Sequence, residues 1–198
     1  MAYSALATPH VLTNPGALFI APLGTAMPAQ TVAGGVFSVD WSTVPAWIQL
    51  GMTEDGSDFS YSTTVEPINA AELFDPVQYV TTARAGSFAF NLLDMTLDNY
   101  QRALNGGVAA LTPTSGTGAT ALYNFSPPAP GSEVRVMLGW ESLDHTLRLC
   151  AYQTIQGGDV ALAFKKPPAV ATIPCTFNFE VPSSGKPFDI WSAGPNRA

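Results

Sequence analysis

Two histidines, two cysteines and fifteen carboxylates are the side chains from which acid–base, nucleophilic or metal chemistry would have to be built in this chain of 198 residues. Asp144-His145 offers an acid beside an imidazole just after the apolar run that ends at Trp140. Adjacent strand residues project to opposite faces, so the pair reads as turn chemistry and not as a catalytic dyad. His10 has no acidic neighbour, and no HExxH, HxH or GxSxG pattern occurs, which removes the usual basis for a zinc peptidase or a serine hydrolase. Cys150 and Cys175 are too far apart for a CxxC motif and lie in strand-like stretches, as ordinary buried thiols do. Gly116-Thr117-Gly118-Ala119-Thr120-Ala121 imitates a phosphate loop, but no strand precedes it and no helix opens after it. Glu54-Asp55-Gly56 lacks the ligand spacing of a calcium loop and reads as a turn closing on Gly56. Asn124-Phe125-Ser126 is a chance match to a glycosylation sequon. The expectation is a protein that is not an enzyme and that uses no metal and no cofactor.

The carboxylates are more informative by position than by type. Residues 1–83 contain Asp40, Glu54, Asp55, Asp58, Glu66, Glu72 and Asp75 and no Lys or Arg, while residues 84–198 hold eight acids and eight bases. The whole net charge of −7 therefore belongs to the first segment. An acidic surface of this kind repels nucleic acid or meets cations on a neighbouring subunit, and it excludes a protein that grips phosphates. Charged residues make up only 12% of the chain against roughly 25% in an average domain. Such a weakly charged surface suits assembly.

The elements that must carry these residues are strands. Gly and Pro number 17 each, which interrupts helices and disfavours an all-helical fold. Residues 16–22 and 47–52 read as short apolar strands. From Asp58 the pattern alternates, with Phe59, Tyr61, Thr63 and Val65 on one face and Asp58, Ser60, Ser62, Thr64 and Glu66 on the other. Alternation resumes over 84–93, with Phe88, Phe90 and Leu92 opposed to Ser87, Ala89 and Asn91. Between them, residues 69–83 form a mixed segment whose Leu73, Phe74, Val77 and Tyr79 look exposed. A helix is expected over 94–105, capped by Asp94 or Thr96, presenting Leu97, Tyr100 and Leu104 on one face and stopped by Gly106. Residues 106–132 read as a flexible loop. Strands return over 133–140, 146–155, 159–165 and 171–181, with Gln156-Gly157-Gly158 as a hairpin turn and residues 182–198 irregular. The reading is one all-β domain over 1–198, a sandwich or barrel with one peripheral α-helix. The N-terminus has neither the basic start nor the apolar run of a secretory signal, so cytoplasmic synthesis is expected.

The order of these motifs carries a resemblance. Trp47-Ile48-Gln49-Leu50-Gly51-Met52-Thr53-Glu54-Asp55-Gly56, the polar alternating strand, Glu66-Pro67-Ile68 with Ala71-Glu72, Pro76-Val77, Arg84, Phe88-Ala89-Phe90 and Thr96-Leu97-Asp98-Asn99-Tyr100 together resemble the major tail tube proteins of long-tailed, siphovirus-like bacteriophages. The resemblance covers residues 36–106 well and the final strands in outline. It implies a tail-tube-like β-sandwich flanked by a helix, hexameric rings stacked helically into a tube that conducts DNA from capsid to host, and residence in the virion tail after assembly in the bacterial cytoplasm. It also implies partners: further copies of itself, a tape-measure protein, terminator and tip proteins, and DNA passing without specific binding, with no membrane. On that reading Asp58, Ser60, Ser62, Thr64, Glu66, Ser87, Ala89 and Asn91 face the channel, and Leu73, Phe74, Val77, Tyr79 and Arg84 contact a neighbouring subunit or ring. Arg84, Arg102 and Arg135 are candidates to meet first-segment acids across subunits, with surface ion pairs within one chain as the equal alternative. No immunoglobulin-like domain of the kind that some relatives carry is expected after Val181. Two alternatives stand beside it. One is a tail completion or distal ring protein of the same fold. The other is a β-sandwich carbohydrate-binding module using Trp41, Trp47, Trp140 or Trp191 to stack on sugars.

Overall fold

The computed structural model describes residues 15–161, 170–183 and 185–194. In chain order the strands are β1 (Gly16–Pro22), β2 (Val32–Ala33), β3 (Val36–Phe37), β4 (Ile48–Gln49), β5 (Thr53–Ile68) and β6 (Gln78–Leu92), followed by helix α1 (Leu97–Ala103). Then come β7 (Pro113–Ser115), β8 (Leu122–Tyr123), β9 (Val136–Ser142), β10 (Leu147–Gln156), β11 (Ile173–Phe179) and β12 (Phe188–Ser192). The chain is all-β with one α-helix among the described residues. Eight strands form one antiparallel sheet in the order β4-β1-β9-β10-β11-β6-β5. The eighth, β12, shares the outer edge of β10 with β11: Leu147 to Ala151 pair with β12, and Thr154 to Gln156 pair with β11.

The apolar composition of β1, β9 and β10 follows from their being covered on both faces. Leu18, Ile20, Val136, Leu138, Leu149 and Ala151 turn to one side and join Phe88, Phe90, Leu92, Ile173, Cys175 and Phe177 in the main core. Phe19, Ala21, Met137 and Cys150 turn to the other side, beneath Trp41 and Trp47. Trp41 stacks on Phe19 with ring centroids 5.4 Å apart and receives the edge of Trp47 at 4.9 Å. Gly139 is required there, because a Cβ at that position would run into the Trp41 ring.

Helix α1 is shorter than its periodicity predicts and turns a different face inward. Thr96 caps it, its hydroxyl accepting from the Asn99 N–H, and Asn105 ends it in the left-handed region at φ 59° just before Gly106. The buried side chains are Asn99, Gln101 and Ala103, whereas Leu97 is exposed and Tyr100 and Leu104 are half-buried. The reason is hydrogen bonding: Asn99 donates to the carbonyls of Leu50 and Asp94, and Gln101 to those of Gly106 and Ala109. The helix is thus tied down by polar side chains that close the adjoining loops.

Four further expectations are corrected. Glu54-Asp55-Gly56 lies within β5, where these three residues stand against the single Asn91 of β6 between Thr53↔Leu92 and Ser57↔Phe90; Gly56, at φ 82°, makes a bulge and not a terminal turn. Residues 78–83 continue β6, so the contact segment is half strand. Residues 106–132 are not one continuous loop but contain the β7–β8 pair. The C-terminal stretch is not wholly irregular, since β12 completes the edge of β10. Residues 159–161 carry no strand, and the rest of the strand expected over 159–165 lies outside the described residues, as does His10.

Candidate functional site

The pairing of β5 with β6 decides where the acidic and polar residues point. The register sets Asp58 opposite Ala89, Ser60 opposite Ser87, Ser62 opposite Ala85 and Thr64 opposite Ala83. A one-residue bulge in β6 follows, after which Glu66 faces Val80 and Ile68 faces Gln78. Cross-strand partners share a face, so Asp58, Ser60, Ser62, Thr64, Glu66, Ser87 and Ala89 form one continuous surface of small, polar and acidic side chains. Asn91 lies on the same side of β6, with Pro174 of β11 as its partner. The surface extends onto β11, which sets Thr176 beside Ala89 and Asn178 beside Ser87. These β11 residues were not among the expected site residues. Their signal was the alternation of Cys175 and Phe177 with Thr176 and Asn178.

The β11 ladder stops at Ser87, so among the described residues 60–68 and 78–86 pair only with each other and form a two-stranded arm. Nine residues of extended chain reach about 30 Å at ~3.3 Å per residue. On the side opposite the acids, the root of the arm is wedged by aromatics: Phe59 and Tyr61 lie 5.1 and 5.0 Å from Phe188, and Phe59 lies 5.8 Å from Phe179. A Cβ on Gly86 would strike Phe179 and Tyr61, which explains the glycine in mid-strand. Further out Arg84 stands opposite Thr63, exposed and away from the acidic face. The Val77 N–H donating to the Ile68 carbonyl closes the tip. Leu73, Phe74, Val77 and Tyr79 are all exposed there, Phe74 completely.

Among the described residues no Lys or Arg ion pair joins the two halves of the chain. Among the described residues Arg135 pairs with Glu133 and Glu180, Arg148 with Glu141, and Lys186 with Asp189. All of these acids follow residue 83. None of the seven first-segment carboxylates has a Lys or Arg within ion-pair distance among the described residues.

Other chemistry-bearing groups are committed to the fold. Asp40, Glu141 and His145 bring donor atoms within 4.8 Å of one another. Both Glu141 oxygens are already engaged, Oε1 by the Arg148 guanidinium and Oε2 by the Trp41 N–H, so the cluster offers a metal only Asp40 and His145. His145 occupies the β9–β10 turn at φ 53°. Asp144 beside it accepts from the Ser142 hydroxyl and from both the N–H and the hydroxyl of Thr146, which hold its carboxyl below the ordinary range. Asp40 is likewise lowered, chiefly by the Ser42 hydroxyl. Burial pushes the Cys175 thiol up to about 12 and raises Cys150 further. Gly118-Ala119-Thr120 is an exposed 3-10 turn with no helix following. Among the described residues no helix is long and apolar enough to cross a membrane.

Compared with known proteins, the chain matches no family model and no curated sequence. The arm and its smooth face are the features around which a function has to be argued.

Proposed function

We propose that this chain is a structural subunit that assembles with copies of itself into hexameric rings, and that the rings stack into the tail tube of a long-tailed bacteriophage, guiding DNA without gripping it. The observation that carries the reading is the smooth face of β5 and β6: a strip of small, polar and acidic side chains with no base on it, half-buried at Ser87, Ala89 and Asn91, exposed outward from Asp58, and ending near the tip at Val80 and Ile68. DNA presents one phosphate per about 1.7 Å of axis, and a basic wall would retain it by counterion release. A wall of Asp58, Ser60, Ser62, Thr64 and Glu66, joined by Ser87, Ala89 and Asn91, lets it slide. Beside this strip, β5 is an edge strand whose outer ladder is free among the described residues, a ready template for pairing with another copy.

The exposed apolar tip supports assembly in a second direction. Leu73, Phe74, Val77 and Tyr79 at the end of a stiff arm form the kind of apolar patch that a partner normally covers. Contacts made by different surfaces on the two partners close into rings or propagate as filaments. A tape-measure protein and terminator or tip proteins are the further partners this role requires, and the tail of the virion is the corresponding location. The carbohydrate-binding reading loses its platform, because Trp41 and Trp47 are in the core and Trp140 and Trp191 are half-buried.

Negative-stain electron microscopy of the purified protein over a concentration and salt series tests the proposal. Rings or hollow tubes are expected, and a strict monomer under every condition counts against it. In tubes made with Asp58→Lys and Glu66→Lys, short duplex DNA is expected to be retained at low salt and released as salt rises. Retention indistinguishable from wild type would remove the two residues from the lumen.

A further inference from the structure

Helix α1 is fastened to the sheet by a side-chain amide that behaves as backbone. The Asn105 Nδ2 donates to the Gln156 carbonyl at 2.9 Å, and the Asn105 Oδ1 accepts from the Gln156 N–H at 2.9 Å. Gln156 is the last residue of β10; on one side it pairs with Phe177 of β11, and on the other the β9 ladder has already ended at Thr154↔Val136. The Asn105 amide thus fills a place in the ladder that β9 leaves open, presenting one donor and one acceptor as a peptide group does.

Asn105 is also the one asparagine of the chain that precedes a glycine. With no side chain to shield it, the backbone nitrogen of a following glycine can attack the asparagine Cγ, which makes Asn-Gly the most labile asparagine linkage. Packing keeps the glycine in place, because a Cβ on Gly106 would run into the Phe125 ring and the Gln101 side chain. In the closed state both reacting groups are occupied. The Gly106 N–H donates to the Gln101 carbonyl at 2.7 Å, and the Asn105 amide is held on Gln156. Reaction therefore requires the end of α1 to open.

We propose that Asn105 is a self-modification site, with water as its co-reactant, and that its conversion unfastens α1 from β10. When the helix end opens, the Gly106 nitrogen bonds to the Asn105 Cγ, the Cγ–Nδ2 bond breaks, and the amide leaves as ammonia with the proton from the Gly106 nitrogen. Water then opens the five-membered imide at either carbonyl, giving aspartate or isoaspartate; nothing is oxidised or reduced. Aspartate offers no donor at neutral pH, so a carboxylate oxygen faces the Gln156 carbonyl where the NH2 had been. Isoaspartate also inserts a methylene into the backbone just after the helix. Either product keeps the end of α1 open, and the converted fraction records how long that end has spent undocked. The inference is independent of the tube reading.

Peptide mass mapping of the full-length chain at pH 8 tests this. In urea, the mass gain of NH2 exchanged for OH is expected at Asn105 ahead of every other asparagine, and in the native protein at a rate at least about tenfold lower. Equal rates in the two states, no gain in the native protein over weeks, or an earlier gain at another asparagine in urea overturns the proposal. The clasp is read separately with Asn105→Asp and with Asn105→Gly, which accepts the left-handed backbone at φ 59°. Both variants are expected to speed hydrogen exchange over residues 97–106 at pH 7 while β9 stays protected. A protonated Asp carries an O–H where the amide carried an N–H. Asn105→Asp is therefore expected to gain stability against denaturant relative to Asn105→Gly as pH falls from 7 to 5. The sign follows from the carbonyl it faces: the fold favours the neutral acid, so that contribution is lost as pH rises, and all other titrating groups are common to both variants. A constant difference between the two variants over that range would mean that Asn105 only fills space, and overturns the clasp.

Discussion

The Nε of Arg148 donates to Oε1 of Glu141 across 2.7 Å, and both side chains are sealed from water beneath Phe37 and Trp41. The two residues are also cross-strand partners in β9 and β10. The rest of the guanidinium is satisfied by the carbonyl of Val39, so the pair fastens the 23–47 excursion to the sheet. Arg148→Met leaves a buried carboxylate without its counter-charge, and a loss of about 3–5 kcal/mol is expected in denaturant unfolding. Arg148→Met combined with Glu141→Leu is expected to lose less than Arg148→Met alone. An equal or larger loss in the double variant would mean that the pair acts through packing.

The arm is expected to exchange its amide hydrogens far sooner than the body. Among the described residues, 60–68 and 78–86 have one partner strand and two exposed faces, whereas β9 and β10 are buried between neighbours. Mass-spectrometric exchange on the free subunit should show rapid labelling of the arm, followed by protection once assemblies form. Uniform protection of arm and sheet in the monomer would contradict the two-stranded description.

Acid should weaken the fold through three carboxylates. Hydrogen bonds from Ser142 and Thr146 lower Asp144, Ser42 lowers Asp40, and Gln153 followed by Arg135 lowers Glu180. A carboxyl whose folded value lies below its unfolded one stabilises the protein above the unfolded value, and that stability disappears as pH falls through the folded value. The unfolded references are 3.8 for Asp and 4.5 for Glu, so the loss is expected below about pH 4. Thermal unfolding between pH 6 and pH 2 measures it. The Asp144→Asn variant should show a shallower decline, and an unchanged slope would exclude Asp144 as a contributor.

Neither cysteine should react in the native state. Cys150 and Cys175 are buried and their thiols are raised by desolvation, which leaves almost no thiolate at neutral pH. Titration with an aromatic disulfide reagent should count no thiols before denaturation and two after it. Rapid labelling of either would place it outside the core.

The alternation is explained by packing where one side meets a core or an aromatic wedge, at Phe88, Phe90 and Leu92 and at Phe59 and Tyr61, whereas Thr63 and Val65 keep the period with both sides in water. It faded over 78–83 because those residues face water on both sides and a bulge breaks their phase. Pattern alone does not record a strand whose only partner is another exposed strand. The helix was found but its inward face was not, since Asn99 and Gln101 are buried to close loops and hydropathy counts them as surface. β12 escaped for a related reason: its five residues are only partly covered and take their place from the free edge of β10. The face shared by β5 and β6 could be anticipated from side-chain size and charge, whereas the clasp between Asn105 and Gln156 joins residues distant in sequence and has no local signature.

The sheet order also sets a timetable for the ribosome. β1 hydrogen-bonds to β4 and β9, and Ala17 meets Glu141 only after more than a hundred intervening residues have been made. At about 5–20 residues per second that wait lasts on the order of 6–25 s. The β5–β6 hairpin needs nothing beyond Leu92 for its own ladder and can zip while the body is still unfinished. Nascent chains therefore display their sticky extremity before they own a core, which favours neighbours on one polysome meeting too early. The first 83 residues carry seven acids and no Lys or Arg, so the charge of a half-made chain opposes such contact until the C-terminal half supplies the cations and the remaining strands.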